Sequence, residues 1–266
     1  MRWRWAVPLL PLGCFGTGED SARPLYYPPP DTGSPGVADG WCEPAYGDDV
    51  HDAYPGEHDA YIAATASTVY WAGENFDGYA DGALIEDAAD RSRSPHIDVT
   101  SGTLTARTVV GADTYFRGYT ETSNFRMLAV GDDGAGRRVR WTHQKPEYRG
   151  YIWEWQDSDD FFAGLHIFGR YQTEYDNYVA SLRRDGKVSI KRKLCGDYTT
   201  LIDAEYGEVP TRTWLTLRFE VVGNQLDFYI DDVLWLTTTD NTFSWGTTGI
   251  RTDHVDVFFD DWAFTP

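Results

Sequence analysis

Cysteine, methionine and lysine are all scarce in this 266-residue chain, which has 3 Cys, 2 Met and only four lysines, Lys145, Lys187, Lys191 and Lys193. Three cysteines cannot build a disulfide scaffold, and their spacing matches no zinc site. Basic residues are short overall: 23 Lys+Arg face 42 Asp+Glu, a formal net charge of −19. A phosphate backbone or an anionic membrane surface would be repelled over most of such a protein, which excludes nucleic acid as a partner. No apolar run approaches the roughly 20 residues of a transmembrane helix, and the mean hydropathy is −0.48. Helical periodicity is missing too; residues 81–91 are the one stretch with room for a turn or two. There is no Ser-His-Asp order, phosphate-binding loop or dinucleotide fingerprint. Aromatic residues, by contrast, are plentiful at 15%, with 11 Trp and 17 Tyr. Such residues serve both β-sandwich cores and sugar-binding faces.

Residues 1–14 read MRWRWAVPLLPLGC. Arg2 and Arg4 precede a short apolar stretch, the layout of a bacterial secretory signal. The small residue before Cys14 also resembles a lipoprotein signal, in which that cysteine is lipidated, although Pro11 stands where such signals usually carry Leu. Residues 15–66 then form an acidic, proline-rich linker: nine of the 13 prolines fall in residues 1–66, and residues 15–66 hold ten acids against Arg23 alone. That composition buries too little apolar surface to offset chain entropy, so a disordered tether is expected. With Cys14 lipidated, Cys42 and Cys195 remain as a pair that an exported protein can join. The expected location is secreted or anchored to the cell envelope of a bacterium, with membrane contact only through the lipid.

From 67 to 266 the hydrophobic period is two. Leu215, Leu217, Phe219 and Val221 alternate with Thr216, Arg218 and Glu220, and Leu226, Phe228 and Ile230 with polar residues. Tyr151, Trp153 and Trp155 alternate in the same way, as do Tyr178, Ala180 and Leu182. Alternation of this kind marks half-buried antiparallel strands, and Asp185-Gly186 and Gly223-Asn224 supply hairpin turns. Phe219, Phe228 and Phe258 read as core. The expectation is a single all-β, antiparallel two-sheet domain.

Three segments carry a family resemblance. They are residues 74–78 with 99–104, residues 177–188 (NYVASLRRDGKV), and residues 249–251 with 257–264 (VFFDDWAF). Together they resemble the opening strands, central hairpin and closing strand of the concanavalin A-like jelly rolls, which include laminin G-like domains, glycoside hydrolases, polysaccharide lyases and carbohydrate-binding modules. The resemblance implies a jelly-roll sandwich and is silent on activity. In several sugar-binding relatives the first and last strands hold a structural calcium; the matching positions are Asp77, Asp260 and Asp261, and paired carboxylates suit that ion.

The glutamate–aspartate spacing of a retaining hydrolase on this fold is absent. In a strand, His166, Arg170 and Gln172 would share a face, with Tyr178 opening the next strand. Together they form the kit of a polysaccharide lyase: a cation or amide neutralises a uronate carboxyl, and Tyr or His moves the proton. Trp141, His143, Lys145, Arg149, Trp153 and Lys191 are the candidate substrate-binding residues around it. Residues 183–193 hold six bases and one acid, a local positive patch suited to an anionic glycan. Three readings stand: a monomeric polysaccharide-binding protein, a lyase (or, less favoured, a hydrolase) acting on an acidic glycan, and a non-catalytic adhesion or structural surface domain.

Overall fold

The computed structural model describes residues 62–64, 73–74, 76, 78–87, 97–108, 114–119, 124–129, 131–132, 138–156 and 162–265. Residues 1–61 and Asp77 lie outside them, and with them Cys14 and Cys42; the last part of the stretch expected as a disordered linker, Ile62–Ala64, is instead a strand paired with Val139–Trp141. In chain order the strands are β1 (Ile62–Ala64), β2 (Gly73–Glu74), β3 (Leu84–Asp87), β4 (Ile97–Ser101), β5 (Thr103–Thr108), β6 (Thr114–Tyr119) and β7 (Asn124–Ala129). There follow β8 (Gly131–Asp132), β9 (Arg138–Trp141), β10 (Lys145–Trp155), β11 (Gly164–Tyr171), β12 (Asn177–Arg183) and β13 (Lys187–Leu194). The chain closes with β14 (Asp197–Glu205), β15 (Trp214–Val222), β16 (Gln225–Ile230), β17 (Val233–Thr239), β18 (Thr247–Asp253) and β19 (Val255–Thr265).

Two antiparallel sheets dominate. One has seven strands in the order β14-β13-β12-β11-β18-β7-β4; the other runs β17-β16-β15-β10-β19-β6-β5-β3, with β2 paired to β19 beside that path. A small third sheet, β1-β9-β8, includes the parallel pair β1 and β9. The large sheets pack inner face to inner face around one apolar cluster. Leu165, Ile167, Tyr178, Ala180, Leu182, Val188 and Ile190 enter it from the seven-stranded sheet, and Leu215, Leu217, Phe219, Leu226 and Phe228 from the other. Removing each of the Leu, Ile, Val and Phe side chains from water stabilises the sandwich by about 1.5–3 kcal/mol. The hairpin between β12 and β13 turns at Gly186, whose φ of 80° suits glycine. A Cβ there would also meet the Gly207 carbonyl oxygen at 2.3 Å.

The all-β expectation holds, and the period-two pattern assigns most faces. Three details differ. The stretch at 81–91 contains no helical turn among its described residues; Leu84–Asp87 pair with β5 as β3. Phe258 is buried on the outer side of its sheet, against Tyr151 and Trp153, while its neighbour Phe259 enters the core. The parity of β11 breaks at its end, where the register shifts between Phe168 and Tyr171 and Arg170 takes a φ of 45°. A bulge of this kind re-aims a side chain. It turns Arg170 away from the face that His166 occupies.

Candidate functional site

The outer face of the seven-stranded sheet carries a groove of about 280 Å³. Register builds it. His166 of β11 stands opposite Arg251 of β18 on one side and Ser181 of β12 on the other, and Arg251 in turn opposes Arg126 of β7. One step along, Phe168 opposes Val179, and Val179 opposes Lys191 of β13. Lys193 opposes Tyr198 of β14. Since residues directly paired across strands project to one face, these rows make a single surface. Phe162 and Glu174 complete the lining.

The groove's charges fall into two groups. The arginines are matched: Arg126 Nη1 lies 3.2 Å from Glu174 Oε1, and Arg251 forks onto Asp253, with Nη2 and Nε each 2.9 Å from a carboxylate oxygen. The lysines are not. Lys191 Nζ lies 5.4 Å from the Phe162 ring centre and 5.9 Å from that of Tyr198; Lys193 Nζ lies 5.3 Å from Tyr175 and 5.1 Å from Tyr198. Neither ammonium has a carboxylate within ion-pair distance among the described residues. Burial lowers both lysine pKa values; the nearby Arg183 charge adds to this at Lys191, whereas Glu174 opposes it at Lys193. Burial raises Asp253, but the hydrogen bond and charge of His166, followed by the charge of Arg251, outweigh it and hold the carboxyl at about 2.

Not all the residues expected at a site meet here. His166 and Lys191 do. Tyr178 points the other way, into the sandwich: its hydroxyl donates to Asp240 Oδ1 at 2.5 Å and accepts the Phe243 N–H at 3.1 Å. Burial first, then that hydrogen bond to Asp240, push its pKa well up. Arg170 is 3% exposed. It donates to the carbonyls of Phe243, Thr142 and Gly223 at 2.5, 2.8 and 2.5 Å, while its N–H donates to Gln144 Oε1. Gln172 donates to the Trp245 carbonyl. The four-residue lyase kit is therefore not assembled: three of its members tie loops to the end of the sandwich.

The substrate-binding set also divides. Lys145, Arg149 and Trp153 project from β10 on the outer face of the other sheet. Lys145 pairs there with Glu220, and Arg149 lies over Trp214. His143 is half-buried in the turn before β10. Trp141 ends β9, opposite Ala64 in register.

Two of the three acids of the calcium expectation lie beside Arg149, whose Nη1 sits 2.7 Å from Asp261 Oδ2 and 3.6 Å from Asp260 Oδ2. The third, Asp77, lies outside the described residues. Cys195 is disulfide-bonded to a partner outside the described residues.

Ser181, Tyr198, Phe162, Arg251 and Asp253 were not singled out from the sequence. Parity with His166 and Lys191 carries a signal for Ser181. None existed for Arg251 and Asp253, whose place beside β11 depends on a pairing between strands some 80 residues apart in the chain.

No known family model matches the chain, and no curated protein matches its sequence. Solved structures do match. The carbohydrate-binding module CBM66 from Bacillus subtilis superposes with a TM-score of 0.50 at 14% identity, over 64% of this chain and 96% of the module. The GH43 protein BlXynB from Bacillus licheniformis gives 0.45 at 12% identity, over 68% of this chain and 38% of that one. Galectin LEC-6 of Caenorhabditis elegans gives 0.34 at 15%, over 45% and 81%. At such identities the likeness is one of fold alone: the architecture is an antiparallel two-sheet sandwich like that of the carbohydrate-binding module.

Proposed function

We propose that this protein binds an acidic carbohydrate in the groove on the outer face of the seven-stranded sheet. Lys191 and Lys193 carry the reading. In a chain of net charge −19, two partly buried ammoniums rest on aromatic rings without a carboxylate within ion-pair distance among the described residues. A buried cation whose carboxylates lie beyond ion-pair distance is costly. An arriving carboxylate or sulfate relieves that cost and gains charge-assisted hydrogen bonds. Phe162 and Tyr198 are 37% and 46% exposed, so aromatic surface borders the groove where sugar carbon can pack. The carbohydrate-binding module that shares the fold agrees in kind. We further propose that the protein acts as a monomer at the bacterial cell envelope or outside it, with residues 1–14 as the export signal, Cys14 as the lipid attachment point, residues 15–61 as the spacer, and a Cys42–Cys195 bond joining spacer to domain.

The test is calorimetric titration with polygalacturonate, alginate and neutral dextran. Binding to the two acidic polymers only, lost in the Lys191→Ala/Lys193→Ala double variant, is expected. Equal binding of dextran, no binding of either acidic polymer, or unchanged binding by the double variant overturns the proposal.

A further inference from the structure

Three residues at the floor of the groove are arranged as a nucleophile, a base and an orienting acid. The Ser181 hydroxyl lies 2.8 Å from His166 Nδ1, and His166 Nε2 lies 3.2 Å from Asp253 Oδ2. Nε2 is also 3.2 Å from the Phe162 carbonyl oxygen. Both neighbours of Nε2 are acceptors, since the Asp253 carboxyl is ionised above about pH 2. The ring proton of the neutral imidazole therefore resides on Nε2, and Nδ1 is the bare acceptor facing the serine O–H. Arg251 also holds the carboxylate, its Nη2 donating to Oδ1 at 2.9 Å. The relay is spread over three adjacent strands, β12, β11 and β18, so no order of residues along the chain announces it.

We propose that Ser181, His166 and Asp253 form an acyl-transfer centre that removes ester-linked acyl groups from the acidic saccharide held in this groove; the assignment rests on the binding reading above. Ser181 Oγ attacks the ester carbonyl carbon while its proton passes to His166 Nδ1. The carbonyl–oxygen bond to the sugar breaks, and the imidazolium returns the proton to the departing sugar hydroxyl. Water then attacks the acyl-serine, His166 Nδ1 takes one of its protons, and the imidazolium gives that proton back to Ser181 as the free acid leaves. Asp253 holds the ring and stabilises its charged form, as in serine hydrolases generally. Backbone amides of paired strands are engaged with their neighbours, so the developing oxyanion falls to cations. Lys191 is diagonal to Ser181 on the same face, because Val179 pairs with Lys191 and Ser181 with Ser189.

An ester suits this groove better than a glycosidic bond. Glycoside hydrolysis needs a protonated carboxyl as acid. Glu174 and Asp253 each lie against an arginine, and both have pKa values below the usual carboxylate range despite burial.

Acetate release from O-acetylated polygalacturonate, together with intact-mass labelling by phenylmethylsulfonyl fluoride, tests the assignment on the full chain. The expected result is acetate release by the wild-type protein, with one sulfonyl adduct at Ser181. Ser181→Ala should abolish the adduct and lower release by roughly a thousandfold, while binding of the deacetylated polymer stays within about twofold. No acetate release by the wild-type protein, or release undiminished in Ser181→Ala, overturns the acyl-transfer centre even where calorimetry still shows binding. Binding lost with labelling and release retained would instead overturn the binding reading and leave the centre standing.

Discussion

The outer faces of the two large sheets carry the same kinds of side chain and differ in how their charge is matched. On the nine-stranded sheet, Tyr151, Trp153, Trp214 and Phe258 make an aromatic patch. Its strand cations have acids beside them: Lys145 lies 3.1 Å from Glu220, Arg149 bridges Asp260 and Asp261, and Arg218 touches Glu147, Glu220 and Asp232. Arg212, in the loop before β15, instead lies 5.1 Å from the Trp153 ring centre. On the seven-stranded sheet the arginines are matched and the lysines rest on rings. Aromatic and basic composition alone therefore does not mark a binding face. What sets the two groove lysines apart is distance: each rests on rings with no carboxylate within ion-pair range among the described residues, while Glu174 and Asp176 act on Lys193, and Asp185 and Asp203 on Lys191, from farther off.

The largest effect should come from removing that asymmetry. Replacing Lys191 and Lys193 together by Ala should weaken polygalacturonate binding about a hundredfold, since a hydrogen bond to a charged group contributes about 1.5–3 kcal/mol. The loss should shrink in high salt, which screens a groove open to solvent. The matching change on the other face, Arg149→Ala, should leave affinity unaltered. Calorimetry at two ionic strengths checks this, and equal losses from the two faces would break the comparison.

Next in size is the carboxylate that organises the groove. The Asp253 carboxyl is held at about 2 against an ordinary 3.8. A depressed native pKa means stability that is present above about pH 4 and is lost as pH falls toward 2. Nearly two pKa units correspond to about 2 kcal/mol, and the side chain is 10% exposed, so little of this is screened away. Urea unfolding of the wild type and Asp253→Asn should therefore show a gap of about 2 kcal/mol at neutral pH that closes by pH 2. A gap independent of pH would mean that the residue acts through packing alone.

The same contrast explains what was legible in the sequence. Strict alternation assigned Leu215–Val221 and Leu226–Ile230 correctly, because each strand has one apolar and one polar face; the register shift between Phe228 and Tyr229 is taken up by an extra residue in β17 and leaves the parity of β16 intact. Alternation also split β12 correctly, placing Tyr178, Ala180 and Leu182 opposite Val179 and Ser181. Taking Tyr178 as an open-face residue credited its hydroxyl with a role that Asp240 and the Phe243 N–H already fill. Arg170 failed for a different reason: a one-residue bulge reverses parity, and nothing in the heptapeptide around it announces a φ of 45°. The basic hairpin at 183–193 was visible in composition. Its meaning was not, because that depended on which acids lie across strands from it.

The ring beneath the two lysines should matter less than the lysines themselves. Tyr198→Ala removes the platform shared by both ammoniums, with cation–π contributions of about 0.5–1 kcal/mol each at exposed sites, together with any stacking on sugar. A loss of affinity of about tenfold is expected, and Tyr198→Phe should restore most of it because the ring face is kept. If the phenylalanine variant binds as poorly as alanine, the hydroxyl rather than the ring is the contact.

Arg218 offers the smallest effect. Its guanidinium has three carboxylates within 3.1 Å and lies 4.3 Å from the Tyr229 ring centre. A contact tally would rank it above either groove lysine. Yet Asp232 is 82% exposed and Glu147 38%, so the pairs are solvent-screened and each is worth under about 1 kcal/mol. Arg218→Met keeps the stem over Tyr229 and removes the charge. Thermal unfolding should fall by less than about 1 kcal/mol, and polygalacturonate affinity should not change. A larger loss of stability would show that the network is cooperative, whereas any loss of affinity would show that the matched face also reaches the ligand and that counter-charge alone does not separate the two.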